Sequence, residues 1–257
     1  MIINHNMNAL NAHRNLGVNT TALGKSSEKI SSGLAINRAG DDAAGLSISE
    51  KMRGQIRGLE RAAQNAQDGI SYIQTAEGAL NEVSSMLVRM KELTVQKANG
   101  TNSTEDIDNL DLELAQLGEE IDNIIATTEF NGINVFNGQI NIAVTDSDDA
   151  GDVFKVGGQV QALTLGDSST TANIEAAIDT INTARSTFGA HQNRLEHIYN
   201  NLGTTSENLT AAESRIRDVD IAKEMMNYSK TNILQSAAQA MISQANQQPQ
   251  GVLQLLR

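Results

Sequence analysis

The sequence predicts a mainly α fold: a long, rod-like antiparallel helical bundle or coiled coil, with a small β-hairpin region mid-chain and the N- and C-terminal helices paired. Three observations predict it. Apolar residues recur in alternating steps of three and four over most of the chain, the period of a helix that buries one narrow stripe. The 257 residues include one Pro, no Trp, four Phe and three Tyr. Few helix stops are therefore enforced, and the core has to be built from Ala, Leu, Ile, Val and Met, which suit a thin bundle. Between about 130 and 172 the pattern changes to short alternating runs beside Gly-containing turn dipeptides, which read as hairpins.

At the N-terminus, Ile2, Ala9, Leu16, Leu23 and Ile30 recur every seven residues, flanked by Ile3 and Leu10. Gly33 and Gly40 bracket a break, and Asp41 and Asp42 stand ready as N-cap and first-turn acids of the next helix. That helix, about 43–98, contains no Pro, and its seam runs Leu59, Ala63, Ala66, Ile70, Ile73, Leu80, Val83, Leu87 and Met90. A helix of about 55 residues spans roughly 80 Å at 1.5 Å per residue, too long for a compact globule of 27.5 kDa. Asn99-Gly100 ends it.

A third helix, about 104–128, follows a capping region at Thr101–Thr104, with the seam Ile107, Leu110, Leu114, Leu117, Ile121 and Ile124. The β-hairpin excursion covers about 130–171. Asn131-Gly132 and Asn137-Gly138 are hairpin-type dipeptides. Ile140, Ile142 and Val144 alternate, Val153, Val156 and Val160 flank Gly157-Gly158, and Thr145–Gly151 reads as an acidic loop. A fourth helix, about 172–213, carries Ile174, Ile178, Ile181, Phe188, Leu195, Tyr199, Leu202 and Leu209. After a charged break at Arg215–Asp220, the last helix places Leu234, Ala238, Met241, Ala245, Val252 and Leu255 at four-three steps. The same spacing puts Gln248 in that seam, and Pro249 beside it predicts a local bend, since Pro lacks the amide donor. Both terminal seams are too narrow to be buried alone. They are expected to pair with each other, and neighbouring copies of the chain are expected to cover what remains.

Charge and composition exclude several classes. The net charge is -12, but residues 99–180 hold 16 acids against one base, Lys155, which leaves +3 for the rest. An acidic middle and near-neutral ends point to a solvated centre and buriable ends. No basic stripe with interleaved aromatics is present, so nucleic-acid binding is disfavoured. No apolar run approaches the length that spans a bilayer, so no membrane insertion is expected. Zero Cys removes disulfide scaffolds and cysteine nucleophiles. His5, His13, His191 and His197 lack partners at metal-ligand spacing, and no phosphate loop, zinc helix or nucleophile elbow occurs. Asp146–Gly151 lacks the twelfth-position Glu of a calcium loop. The reading is no enzyme, no cofactor and no metal. No secretory signal opens the chain, so if the protein leaves the cell, the route is one that does not read a cleaved signal. The 26 Asn and 17 Gln suit a surface that stays soluble alone yet packs against copies of itself.

Four stretches are specific. They are MIINHNMNALNAHRNL at the start, SSGLAINRAGDDAAGLSIS over 31–49, FGAHQNRLEHIYNNLGTTSENLTAAESRIRDVDIAKEM over 188–225, and QANQQPQGVLQLLR over 244–257. Together they closely resemble bacterial flagellin, over roughly 1–138 and 172–257, with a short middle in place of large outer domains. The resemblance implies a structural subunit that self-assembles into the flagellar filament for motility. It implies that 1–40 and 215–257 form a terminal coiled-coil domain lining the inner tube, and that 41–214 form the surrounding rod domain. It also implies unfolded export by the flagellar type III system to an extracellular filament. The alternative is the hook–filament junction protein, which shares the terminal architecture. An enzyme inserted in the scaffold is a third reading, but 139–171 is too short to house one.

The candidate filament interface is Ile2, Ala9, Leu16, Leu23, Ile30, Leu234, Ala238, Met241, Ala245, Val252 and Leu255. The partners implied are further copies of the chain, an export chaperone, and the filament cap and hook-junction proteins. Arg89–Gln96 resembles the family patch read by a host Toll-like receptor, with Arg89, Leu93 and, on the facing helix, Glu120 as contacts. Val88 and Lys91 depart from that pattern, and Lys cannot reproduce the fork of Arg. Leu87, Met90 and Val95 read as core beneath it, with the charges solvated or turned to the next subunit. Ile233, Leu234, Met241, Val252, Leu255 and Leu256 resemble the segment wrapped by the export chaperone. An apolar face left open before assembly is a physical reason for such a partner.

Overall fold

The computed structural model describes residues 6–145, 153–157 and 171–255, with side chains up to Gln247. These residues form five helices and four short strands: α1 (Met7–Ser32), α2 (Ala43–Lys97), α3 (Thr104–Thr127), β1 (Glu129–Phe130), β2 (Ile133–Asn134), β3 (Ile140–Ala143), β4 (Val153–Val156), α4 (Thr171–Arg217) and α5 (Ile221–Leu255). Ile2, the acid-rich part of the 145–151 loop, Val160 and Leu256 lie outside the described residues. The chain divides into two compact units, 1–54 with 209–257 and 55–208.

Four of the five helices start at a local cap. Asn6 caps α1 by accepting the Ala9 N–H at 3.1 Å, and Gly33 ends it in the left-handed region (φ 74°). Asp42 accepts the Gly45 N–H at 3.0 Å and caps α2. Asp41 does not join that helix. Its carboxylate accepts the N–H groups of Arg38 and Asn37, the Arg38 bond above all, and its pKa falls below the usual carboxylate range. Ser103 and Asp106 form a reciprocal capping box on α3, with the side chain of each bonded to the main-chain N–H of the other. Asp220 accepts the Lys223 N–H at 3.1 Å and starts α5. The backbone of α5 remains helical through Pro249 to Leu255.

In the second unit the apolar seams meet in one core. Leu80, Val83, Leu87 and Met90 of α2, Ile121 of α3, and Ile174, Ile181, Phe188 and Leu195 of α4 are fully buried. Two seam expectations shift. Tyr199 is exposed, and Ile198 packs toward the core in its place. Val95 is exposed as well, while Leu93 and Thr94 are buried.

Asn131 and Gly132, with φ of 53° and 77°, make the two-residue turn between β1 and β2, the geometry such dipeptides favour. Asn137-Gly138 does not form a second hairpin turn. It leads into β3, which pairs antiparallel with β4 in the register Ile140↔Val156 to Ala143↔Val153. Ile142, Phe154 and Val156 turn into the core. The Tyr72 hydroxyl donates to the Val135 carbonyl at 3.1 Å, and burial raises its pKa.

In the first unit α1 and α5 pack against each other. The pair is antiparallel. At one end Asn6 reaches the Ala245 carbonyl. At the other, Ala35 N–H donates to Arg217 O at 2.7 Å and Val219 N–H to Gly33 O at 3.0 Å, around the bridge Leu34↔Asp218. The Arg217 guanidinium bonds Glu50 at 2.6 Å beside this junction.

Candidate assembly surface

The α1–α5 pair shows which residues close the terminal coil and which stay open. Along α1 the seam is Ala9, Ala12, Leu16, Asn19, Leu23, Ser26 and Ile30, all half-buried or buried. Along α5 it is Glu224, Tyr228, Thr231, Gln235, Ala238, Ile242 and Ala245. Both keep alternating steps of three and four, as a two-stranded coil requires. Most of these side chains are small or polar.

Leu16, Leu23, Ile30, Tyr228 and Ile242 are the large members of the seam, and more large apolar side chains lie off it. Met7, Leu10 and Val18 on α1, and Ile221, Met225, Met226, Ile233, Leu234 and Met241 on α5, are 44–69% exposed. Covering what remains exposed on each is worth about 1 kcal/mol. Summed over the nine this is several kcal/mol per copy. A lone domain has no reason to show that much apolar surface on one pair of helices.

The expected interface residues thus separate into two groups. Ala9, Leu16, Leu23, Ile30, Ala238 and Ala245 line the seam within the chain. Leu234 and Met241 do not. They sit one position before the seam residues Gln235 and Ile242 and face solvent. The helix places Val252 and Leu255 on its last turns, but their side chains lie outside the described residues, as do Ile2 and Leu256. Of the expected chaperone segment, Ile233, Leu234 and Met241 are exposed. Met7, Val18, Met225 and Met226 were not singled out by the sequence. The signal available was large apolar residues off the seam spacing, spread over the other sides of the two helices.

The expected receptor patch is only partly a surface. Arg89 is exposed and its fork is engaged, with Nε and Nη2 on Glu113 at 3.2 and 3.1 Å and Nη1 on Glu92 at 3.3 Å. The Glu113 bonds, then Glu92, raise the guanidinium pKa. Glu120 is exposed two turns beyond Glu113 on α3. Leu93 is 0% exposed and packs in the core. It supports the patch from beneath, because the α2 face that carries Met90 also carries Leu93 inward. Lys91 pairs with Glu175 at 2.9 Å, which ties α2 to α4.

Elsewhere in the second unit, a cleft of about 630 Å³ is lined by Leu59, Val144, Arg194, His197, Ile198 and Leu202, among others. Beside it the Arg194 guanidinium stacks 4.6 Å over the Phe154 ring, and His191 meets the same ring edge-on at 5.3 Å. Burial, then the Arg194 charge, lowers the His191 pKa. Among the described residues no group of three or more His, Asp or Glu is placed to hold a metal ion. No described helix is long and apolar enough to cross a membrane.

A coil that closes through a mixed seam and still leaves nine large apolar side chains exposed defines a helical subunit suited to helix-to-helix association. The comparisons with known proteins agree. Residues 3–141 match the bacterial flagellin N-terminal helical region, and residues 171–256 match the bacterial flagellin C-terminal helical region. The chain belongs to the bacterial flagellin family. It is 53% identical to a flagellin of Halalkalibacterium halodurans and 46% identical to one of Bacillus subtilis, each alignment covering 100% of both chains. It is 45% identical to the flagellar filament 33 kDa core protein of Treponema phagedenis, again over 100% of both.

Proposed function

We propose that this chain is the structural subunit of a bacterial flagellar filament, a self-assembling homopolymer that serves motility and lies outside the cell. One observation carries the reading: the large apolar side chains of α1 and α5 that the pairing of those helices leaves uncovered. These side chains lie on more than one side of the pair, so one patch can meet a different patch of the next copy, and repetition of such a head-to-tail contact builds a polymer rather than a closed pair. In this reading the terminal segments, 1–40 and 215–257, form the inner tube and 41–214 the layer around it. Ile2, Val252 and Leu255 extend the same interface. The acidic block 99–180 faces outward and keeps filaments apart.

Several partners follow from the same reading. The subunit travels unfolded through the flagellar type III apparatus, which the absence of Cys supports because no disulfide has to form or break. An export chaperone covers Ile233, Leu234, Met241, Val252, Leu255 and Leu256 before assembly. Support comes from the exposure of the first three. The filament cap and hook-junction proteins contact the two ends of the polymer. A host Toll-like receptor reads the surface around Arg89 and Glu120, with Leu93 setting its shape from below.

The test is seeded polymerisation of the purified full chain, followed by sedimentation and electron microscopy. Long filaments are expected. A chain lacking 250–257 is expected to remain soluble and fail to elongate. Filaments grown from that truncated chain, or none from the full one, would overturn the reading.

A further inference from the structure

The methionines are sorted by exposure in a way that packing does not require. Met7, Met225, Met226 and Met241 are exposed, and all four lie on α1 or α5. The other described methionines differ. Met90 is fully buried, and Met52 and Met86 are half-buried. None of the exposed four lines the α1–α5 seam, which runs through Ala9, Leu16, Ala238 and Ala245. These side chains are therefore open to solvent, and none of them closes the seam of the subunit.

We propose that these four thioethers are sites of reversible oxidation by peroxides, and that oxidation blocks addition of the subunit to a growing polymer. The inference rests on the assembly role assigned to this face. The step is a two-electron transfer. The thioether sulfur attacks a peroxide oxygen, an S–O bond forms and the O–O bond breaks. The departing hydroxide takes a proton, so one hydrogen peroxide yields one sulfoxide and one water. Two thiols reverse it, giving the thioether, a disulfide and water, the chemistry that methionine sulfoxide reductases catalyse.

The consequence follows from polarity. A thioether is a soft apolar group that fills irregular gaps, whereas a sulfoxide carries a strong acceptor oxygen. Burying that oxygen without a donor is unfavourable. Leu, Ile or Val at these positions would offer similar area without this sensitivity. Because the seam is made of other residues, an oxidised subunit keeps its helices and loses only the face it presents to copies. In the polymer the same sulfurs are covered and react slowly, so the free subunit is the sensitive form.

The experiment treats the purified full chain with hydrogen peroxide and maps sulfoxides by peptide mass spectrometry. Sulfoxide is expected at Met7, Met225, Met226 and Met241 well before Met90. Helical circular dichroism should be unchanged. Seeded elongation of the oxidised chain should fall about tenfold or more, as loss of even about 1.4 kcal/mol per contact requires. A sulfoxide reductase with dithiothreitol should restore it. Met226→Gln, a permanent polar replacement, should slow elongation without peroxide. A chain with all four changed to Leu should elongate in peroxide as it does without. Elongation of the oxidised chain at the untreated rate, or preferential reaction of Met90, would overturn the proposal while leaving the assembly role intact. Failure of the untreated chain to elongate would overturn both.

Discussion

The Asn6 side-chain amide donates to the Ala245 carbonyl at 2.7 Å, while its oxygen accepts the Ala9 N–H at 3.1 Å. One residue thus caps α1 and ties it to a point 239 positions away on α5. The two roles can be separated. Asn6→Asp keeps the cap acceptor and places a charge at the positive end of the helix, but loses the donor to Ala245. Asn6→Ala loses both. Asn6→Ala is expected to lower the stability of the terminal pair by about 1–2 kcal/mol and Asn6→Asp by about 1 kcal/mol or less. Thermal melts by circular dichroism, with amide exchange at Ala9 and Leu10, check this. Equal losses would mean that the cap contributes nothing.

Gly157 follows β4, and a Cβ there would overlap the Gly138 carbonyl oxygen. The obstacle is backbone, which a rotamer change cannot relieve. Gly157→Ala is expected to destabilise the second unit by about 2 kcal/mol. Gly132→Ala faces open space and suffers only the cost of a positive φ of 77°, about 1 kcal/mol. Urea titrations of the two variants should rank in that order, and the reverse order would contradict the β3–β4 register.

His191 sets a pH dependence for the same unit. Its pKa is lowered by burial and by Arg194. The unfolded chain therefore binds a proton that the folded chain refuses. Stability from this site is complete above the ordinary imidazole pKa of about 6.5. It is lost as pH falls below that and through the depressed folded value. Carboxylates such as Asp41 and Asp106, also lowered, are lost at more acidic pH, so a variant is needed to isolate the histidine. Between pH 7.5 and 5.5 the urea midpoint of the wild-type chain should fall more than that of His191→Gln. Parallel midpoints would mean that His191 titrates normally in the fold.

The helical plan was legible because the heptad period reports burial directly. Leu80, Val83, Leu87 and Met90 were placed on one stripe by spacing alone, and all are fully buried. The Asn131-Gly132 turn was legible because few residues tolerate positive φ at both positions. The terminal coil was less legible. Two overlapping four-three rows run along α5, one through Leu234 and Met241, the other through Gln235 and Ile242, and both share Ala238 and Ala245. Hydrophobicity selects the first row. The structure pairs the second with α1: Gln235 and Ile242 are half-buried, while Leu234 and Met241 are exposed. The burial of Leu93 was missed for a related reason. The charges at Arg89, Lys91 and Glu92 mark an exposed face, yet one step along the helix turns a side chain by about 100°.

That choice between rows gives the most direct test of the candidate surface. If Gln235 and Ile242 close the coil, Leu234 is free of intrachain duty. Leu234→Gln should then change the stability of the terminal pair by less than about 0.5 kcal/mol, as an exposed substitution does. Ala245 is buried against α1. Ala245→Leu therefore forces three more heavy atoms into a closed seam and should cost about 1–3 kcal/mol. Assembly should respond the other way round. Leu234→Gln leaves a well-folded subunit with a polar group where the next copy packs, so seeded elongation should drop at unchanged helicity. Circular dichroism melts and elongation rates on the same two proteins separate the cases. Should Leu234→Gln melt the pair while Ala245→Leu does not, the coil closes on the more hydrophobic row, and the exposed face proposed for assembly is the wrong one.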